Sequence, residues 1–158
     1  MIIHELTHLL LSVIAGLAVY LIFRKWQSFL AAILVGVFAD IDHLIDFFLY
    51  KKSFSINLEE FFSGKYFDYS GKVYLFFHGY EYVVILLILA FLIYLKNKKK
   101  LLSAKKVAIS ILLALSLSLF LHLVYDVFSY KPKWPTYSII YRVVNNFDHD
   151  KFDFRKGE

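Results

Sequence analysis

The chain reads as an all-α integral membrane protein: an antiparallel four-helix transmembrane bundle, with a short interfacial helix in the loop between the second and third spans. Three observations predict this. Of the 158 residues, 59% are apolar and 20% aromatic, with a mean hydropathy of +0.60. The apolar residues gather into four segments, and the charged ones are bunched at segment ends and between them. Each segment also carries histidine or carboxylate residues at a matched distance from its basic end. One domain accounts for the whole length. Two prolines and six glycines exclude a low-complexity or disordered chain.

The spans are expected at about 5–23, 27–49, 73–95 and 106–128, followed by a tail over 129–158. Crossing the hydrocarbon takes roughly 20 residues. Each segment reaches that length only when its polar residues are counted inside the helix, so those residues belong to the spans. The first segment has neither a basic n-region nor a small-residue cleavage site and is read as a span, not a removed signal peptide.

The tight connections are Arg24-Lys25 and the run KNKKKLLSAKK from Lys96 to Lys106. They carry 8 of the 18 Lys and Arg directly against span ends. By the positive-inside rule these loops face the cytoplasm, which places both termini and the 51–72 loop outside. The formal charge of +5 belongs mostly to these loops and does not call for a nucleic-acid partner. In the long loop, Asn57 is a candidate N-cap, Glu59 and Glu60 occupy a first turn, and Gly64 is a stop. With Phe61 and Phe62, this segment predicts the short helix on the membrane surface. The tail opens with interfacial aromatics, and its His149 reads as solvated. Ser110, Ser116 and Ser118 are assigned to helix packing, and Gly16 and Gly36 to close helix approach.

Four clusters of ligand-type residues stand one to a span: His4, Glu5 and His8; Asp40, Asp42, His43 and Asp46; His78 and Glu81; His122 and Asp126. His8 lies 16 residues from Arg24, Asp40 lies 15 from Lys25, Glu81 lies 15 from Lys96, and His122 lies 16 from Lys106. At 1.5 Å per residue, all four helices deliver a ligand about 24 Å from the basic border. That level is just beneath the outer interface of a hydrocarbon layer roughly 30 Å thick. His4/His8 and His122/Asp126 are i,i+4 pairs, and His78/Glu81 and Asp40/His43 are i,i+3 pairs, so each pair projects from one helix face. Asp40 and Asp42 cannot both point inward from a regular helix.

Ionisable groups inside spans cost about 2.5–3.5 kcal/mol each on insertion scales and usually mark function. A purely structural polar network would use Ser, Thr, Asn and Gln instead. With no cysteine in the chain, any metal must sit on nitrogen and oxygen, which suits zinc, manganese or iron. The expected ligands are His8, Asp40, His43, His78, His122 and Asp126, with His4, Asp42, Glu81 and Asp46 as further candidates, holding one or two divalent ions.

The motifs THLL, ADIDH, a histidine opening the third span, and HLVYDVFSY followed by KPKWPTYSIIYR occur in an order that resembles the YdjM-like family of integral-membrane metal-dependent hydrolases. That family is related to zinc-dependent phospholipases C and nucleases. The resemblance spans nearly the whole chain and falls on His8, Asp40, Asp42, His43, His78, His122 and Asp126. Ala39 stands where the family has proline, and HGYEY lacks the family's arginine and second histidine. What the resemblance implies is hydrolysis of a phosphoester, with zinc as cofactor.

HELTH, from His4 to His8, also fits the H-E-x-x-H pattern of zinc peptidases. Aligned on His8, however, it leaves Glu5 without a required role. The function expected is therefore a membrane-embedded hydrolase, with Glu81 and Asp42 as candidate bases. Its substrate is expected to be a lipid phosphoester or another small amphiphile at the outer interface. The alternatives are a non-catalytic metal-binding or transport bundle, the peptidase, and a di-iron redox protein, although di-iron bundles use Glu-x-x-His pairs.

Overall fold

The computed structural model describes residues 2–96, 103–130 and 134–152. Helix α1 (Ile2–Phe23) is one continuous apolar run. It stops at Arg24, whose φ of 54° is left-handed, and Lys25 then starts the return. Helix α2 (Trp26–Phe38) and helix α3 (Ile41–Lys51) follow the same general course, broken at Ala39 and Asp40. Asp40 leaves helical geometry with φ −74° and ψ 1°. The break lets Asp40 and Asp42, which would diverge on a regular helix, reach opposite nitrogens of the His78 ring.

Helix α4 (Leu58–Ser63) forms where the loop motif predicts a helix. The Asn57 side chain accepts from the Glu60 N–H at 3.1 Å, and Gly64 closes the helix at φ 68°. Helix α5 (Tyr66–Ser70) follows and packs on α3. Helix α6 (Tyr80–Leu95) has 16 residues, and helix α7 (Ser103–Tyr130) has 28. The tail folds as a 3-10 turn (Trp134–Tyr137), helix α8 (Ile139–Val144) and a second 3-10 turn (His149–Lys151).

Three helical stretches, Ile3–Phe23, Trp26–Lys51 and Ser103–Tyr130, are long and apolar enough to cross a membrane. The third expected span departs from the sequence reading. It was expected from residue 73, but the helix begins only at Tyr80, and at 1.5 Å per residue it measures about 24 Å. The cause lies in the backbone of 73–79. The N–H groups of Tyr74 and Leu75 donate to Asp46 Oδ2 and that of Phe77 to Asp42 Oδ2. Val73 N–H donates to the Phe147 carbonyl, and Leu75 has a φ of 41°. Donors already satisfied by carboxylates and by the tail do not enter a helical ladder. His78 is therefore on a loop, and His78 and Glu81 are not an i,i+3 pair on one helix face.

α7 is the central helix: α1, α2 and α6 all pack against it, and α1 also packs on α2. Val19, Ala32 and Ala114 form a buried apolar cluster toward the basic end. The serines assigned to packing act there. Ser118 donates to the Ala32 carbonyl at 2.9 Å and pairs with Ser12 at 2.8 Å, and Ser116 donates to the Val83 carbonyl at 3.1 Å. Ser110 bonds within its own helix. Any Cβ at Gly36 would collide with Ser12 Oγ, so the α1–α2 approach depends on glycine there. The outer faces expose Leu10, Ile14, Leu17, Leu30, Leu34 and Ile88, an apolar surface far too continuous for a water-soluble monomer.

The tail is docked against the loop before α6, with Phe152 buried against Val73 and Leu75. His149, expected to be solvated, is half-buried with its Nε2 3.6 Å from Asp68.

Candidate metal centre

Four parts of the chain bring histidines and carboxylates to one place: the first turns of α1, the α2–α3 break, the loop before α6, and the last turns of α7. His8, His78, His122, Asp42 and Asp126 are buried. Four groups form, each with ligand atoms within 4.8 Å of one another: His4, His8 and Asp126; His8, Asp40 and His122; Asp40, His43 and His78; and His78, His122 and Asp126. All six residues expected to be ligands are among them, together with His4.

The distances are informative. His78 Nε2 lies 3.2 Å from His122 Nε2. Asp40 Oδ1 lies 3.2 Å from His78 Nε2 and 3.4 Å from His122 Nε2, and Asp126 Oδ2 lies 3.5 Å from both. Four donors held about 2.0–2.2 Å from a tetrahedral ion stand about 3.3–3.6 Å from one another. Five of the six separations in this set match the edges of a coordination shell, so His78 and His122 have shell-like spacing with Asp40 and, separately, with Asp126, while the two carboxylates share no group of ligand atoms within 4.8 Å.

The proton inventory points the same way. His78 Nδ1 is 2.9 Å from Asp42 Oδ2, which also accepts the Phe77 N–H at 2.7 Å. An ionised carboxylate can only accept, so Nδ1 carries the proton. In the neutral ring, the Nε2 lone pair then faces two carboxylate oxygens. Lone pairs at that separation, inside a low-dielectric interior, require a cation between them, either a second ring proton or a metal ion. On the other side, His4 Nε2 and His8 Nε2 are 2.8 Å apart, and Asp126 Oδ1 lies 3.2 and 3.0 Å from them. A shared proton satisfies one edge of that triangle, whereas an ion satisfies all three. Asp126 thus presents one oxygen to each of two ligand sets.

The remaining candidates occupy other positions. Asp42 lies behind His78 and orients it, the carboxylate–histidine arrangement that fixes a ligand's tautomer. Asp46 accepts the Tyr74 and Leu75 N–H groups at 3.0 and 3.3 Å and holds the loop. Glu81 is turned away from the cluster. Its carboxylate accepts from the Ser138 hydroxyl and from the N–H groups of Ile139 (3.0 Å) and Ile140 (3.2 Å), so it caps α8. His43 Nε2 is 3.5 Å from Asp40 Oδ1, and its Nδ1 faces the Tyr66 hydroxyl at 3.4 Å. Burial, reinforced by the Asp46 and Asp42 charges, holds that phenol protonated far above its ordinary range.

Two further residues matter: Glu5, expected behind the ligands or as a late one, and Arg142, for which the sequence predicts no role at the site. Glu5 sits half-buried beside Asp40 and the His4 and His8 rings. Arg142 is fully buried. It donates to the carbonyls of Leu75 and His78, each at 2.8 Å, and of Thr136 at 2.9 Å. Burial lowers its pKa while the nearby Asp42, Glu81 and Asp46 charges counter the shift. The signal for Arg142 is the lone arginine within IIYRVV. Its partners are loop carbonyls, which carry no sequence signature.

Below the centre, toward the basic loops, the buried polar side chains among the described residues are serines, with Val19, Ala32 and Ala114 packed between the helices and no buried ionisable group.

No protein-family model, curated protein or solved structure matches this chain.

Proposed function

We propose that the chain is a membrane-embedded, metal-dependent hydrolase acting on a phosphoester of a lipid or other amphiphile, near the outer interface of a four-helix transmembrane bundle. The observation that carries this reading is the convergence of His78 and His122 with Asp40, and with Asp126, at coordination-shell spacing. Zinc suits the all-nitrogen-and-oxygen set, with manganese and iron as the other candidates. His78, His122, Asp40 and Asp126 would hold one ion. His4, His8 and the second oxygen of Asp126 would hold another. A divalent ion bound there supplies Lewis acidity toward a phosphoryl oxygen and makes water acidic enough to react near neutral pH.

The chain's own residues do the rest. Asp42 holds the His78 ring with its Nε2 toward the centre, and Arg142 holds the loop that carries it. The base role expected of Glu81 and Asp42 passes to Glu5, because those two are committed to α8 and to His78. Glu5 stands at the half-buried edge of the cluster and is placed to accept a proton from water at the centre. The tyrosine rings of Tyr125 and Tyr130, each 5.0 Å from the His4 ring, wall that edge. The resemblance to YdjM-like hydrolases supports phosphoester chemistry. The basic loops at Arg24-Lys25 and Lys96–Lys106 support an extracytoplasmic site.

The lack of any buried ionisable side chain around Val19, Ala32 and Ala114, among the described residues, disfavours ion conduction. The test is Glu5→Gln. Metal content should stay near normal, while hydrolysis of phospholipids by the wild-type protein should fall by about a hundred- to ten-thousand-fold, the usual worth of a positioned acid–base group. Peptidase activity lost in the same variant, with no phosphoesterase activity in the wild type, would instead make HELTH a protease motif.

A further inference from the structure

A groove of ≈ 660 Å³ lies between α2 and α6, floored by Leu119 of α7. Leu34, Phe38, Ala39, Phe77 and Tyr82 line it, and its lining is almost wholly apolar. The volume is within the range of about 300–1,000 Å³ typical of ligand pockets. It exists because α2 and α6 both pack on α7 without packing extensively on one another. Leu34, Phe38 and Phe77 are half-exposed at its rim, whereas Ala39 and Leu119 are buried at its base. The groove is thus open sideways, toward the surroundings of the apolar helices, and penetrates to the central helix.

Its position relative to the metal centre is specific. Ala39 and Phe77, both lining residues, are the immediate chain neighbours of Asp40 and His78, whose side chains meet at 3.2 Å. One end of an apolar slot therefore lies against the backbone that carries Asp40 and His78. A ligand filling the slot and the centre must have a hydrocarbon chain continuous with an anionic or polar head. We propose that this groove holds an acyl chain of a phosphate-bearing lipid whose head group lies at the His/Asp centre. Lateral entry from the hydrocarbon layer keeps the chain out of water throughout, and the α2–α3 break at Asp40 sets the depth at which chain gives way to head. The head-group half of this inference rests on the phosphoesterase reading. The chain half rests on the groove itself.

The test uses the full-length, zinc-loaded protein in phosphatidylcholine nanodiscs containing a trace of phosphatidic acid with a diazirine on its acyl chain. After irradiation, adducts are mapped by mass spectrometry. Adducts at Leu34, Phe38 and Tyr82 should exceed those at Leu17 and Ile88, exposed on other helix faces. Excess unlabelled phosphatidic acid should remove that surplus, and diacylglycerol, which lacks the phosphate, should not. Leu34→Trp and Ile41→Trp, the latter at a further lining residue, each put an indole into the groove and should reduce the surplus about tenfold, as expected for displacing roughly two buried methylenes, with zinc content unchanged. Even labelling over all lipid-facing residues, competition by diacylglycerol equal to that by phosphatidic acid, or undiminished labelling in both zinc-retaining tryptophan variants would each overturn the proposal. Groove labelling that meets every expectation while no phospholipid is hydrolysed would uphold the binding site and sink the hydrolase reading alone.

Discussion

Asp42 and His78 are 36 residues apart in the chain and 2.9 Å apart in the fold. The contact fixes which ring nitrogen of His78 faces the centre. Removing such an orienting carboxylate typically costs about 10–100-fold in metal affinity. Asp42→Asn should lose affinity within that range, read by competition against a chelator of known strength, and His78→Ala should lose more. Equal affinity in Asp42→Asn and wild type would remove Asp42 from any role at the centre.

Protein purified without chelator should retain about one to two equivalents of zinc or a similar ion, the number that the two ligand sets sharing Asp126 can hold. Asp40→Ala and His122→Ala should each lose most of it by elemental analysis, while His149→Ala, whose ring pairs with Asp68 outside the centre, should lose none. Full retention in both of the first two variants would end the metal reading.

Glu81 supports the tail and is not expected to touch the chemistry. Glu81→Gln keeps the shape but loses the charge that accepts the Ser138, Ile139 and Ile140 donors. Hydrogen bonds to charged groups contribute about 1.5–3 kcal/mol. The variant should unfold at a lower temperature and expose the 134–152 segment to protease, with metal content near wild type. Loss of metal without loss of stability would restore Glu81 as a ligand.

At Gly36, α2 packs directly against Ser12 and the His8 carbonyl of α1. Gly36→Ala places a methyl against Ser12, and overpacking of this kind costs about 1–3 kcal/mol. Thermal unfolding in detergent should show that loss, and Ser12→Gly should recover much of it. An unchanged midpoint would mean that the two helices adjust freely.

The basic loops predict the sidedness. A reporter fused after Glu158 should behave as extracytoplasmic, and one inserted near Lys99 as cytoplasmic. The reverse pattern would move the centre to the cytoplasmic face.

Much of this protein is legible in one dimension. Apolar runs longer than the hydrocarbon is thick can only be helices in lipid, because each backbone donor must find its acceptor within its own segment. Helix rise is constant, so counting from Arg24, Lys25 and Lys106 puts His8, Asp40 and His122 at one depth before any contact is known. Capping is also local, which is why Asn57 and Gly64 bound α4 as expected. Tertiary structure decided what depends on distant partners. The helix of the third segment starts at Tyr80, not 73, because Asp42, Asp46 and the tail take the backbone groups of the preceding loop. Glu81 faces Ser138, 57 residues away, and Arg142 reaches the carbonyls of Leu75 and His78. A carboxylate or a guanidinium carries the same letter whether it binds an ion, orients a ring or caps a helix. Only the fold decides which partner it meets, so depth could be counted from the sequence while the division of labour among these charges could not.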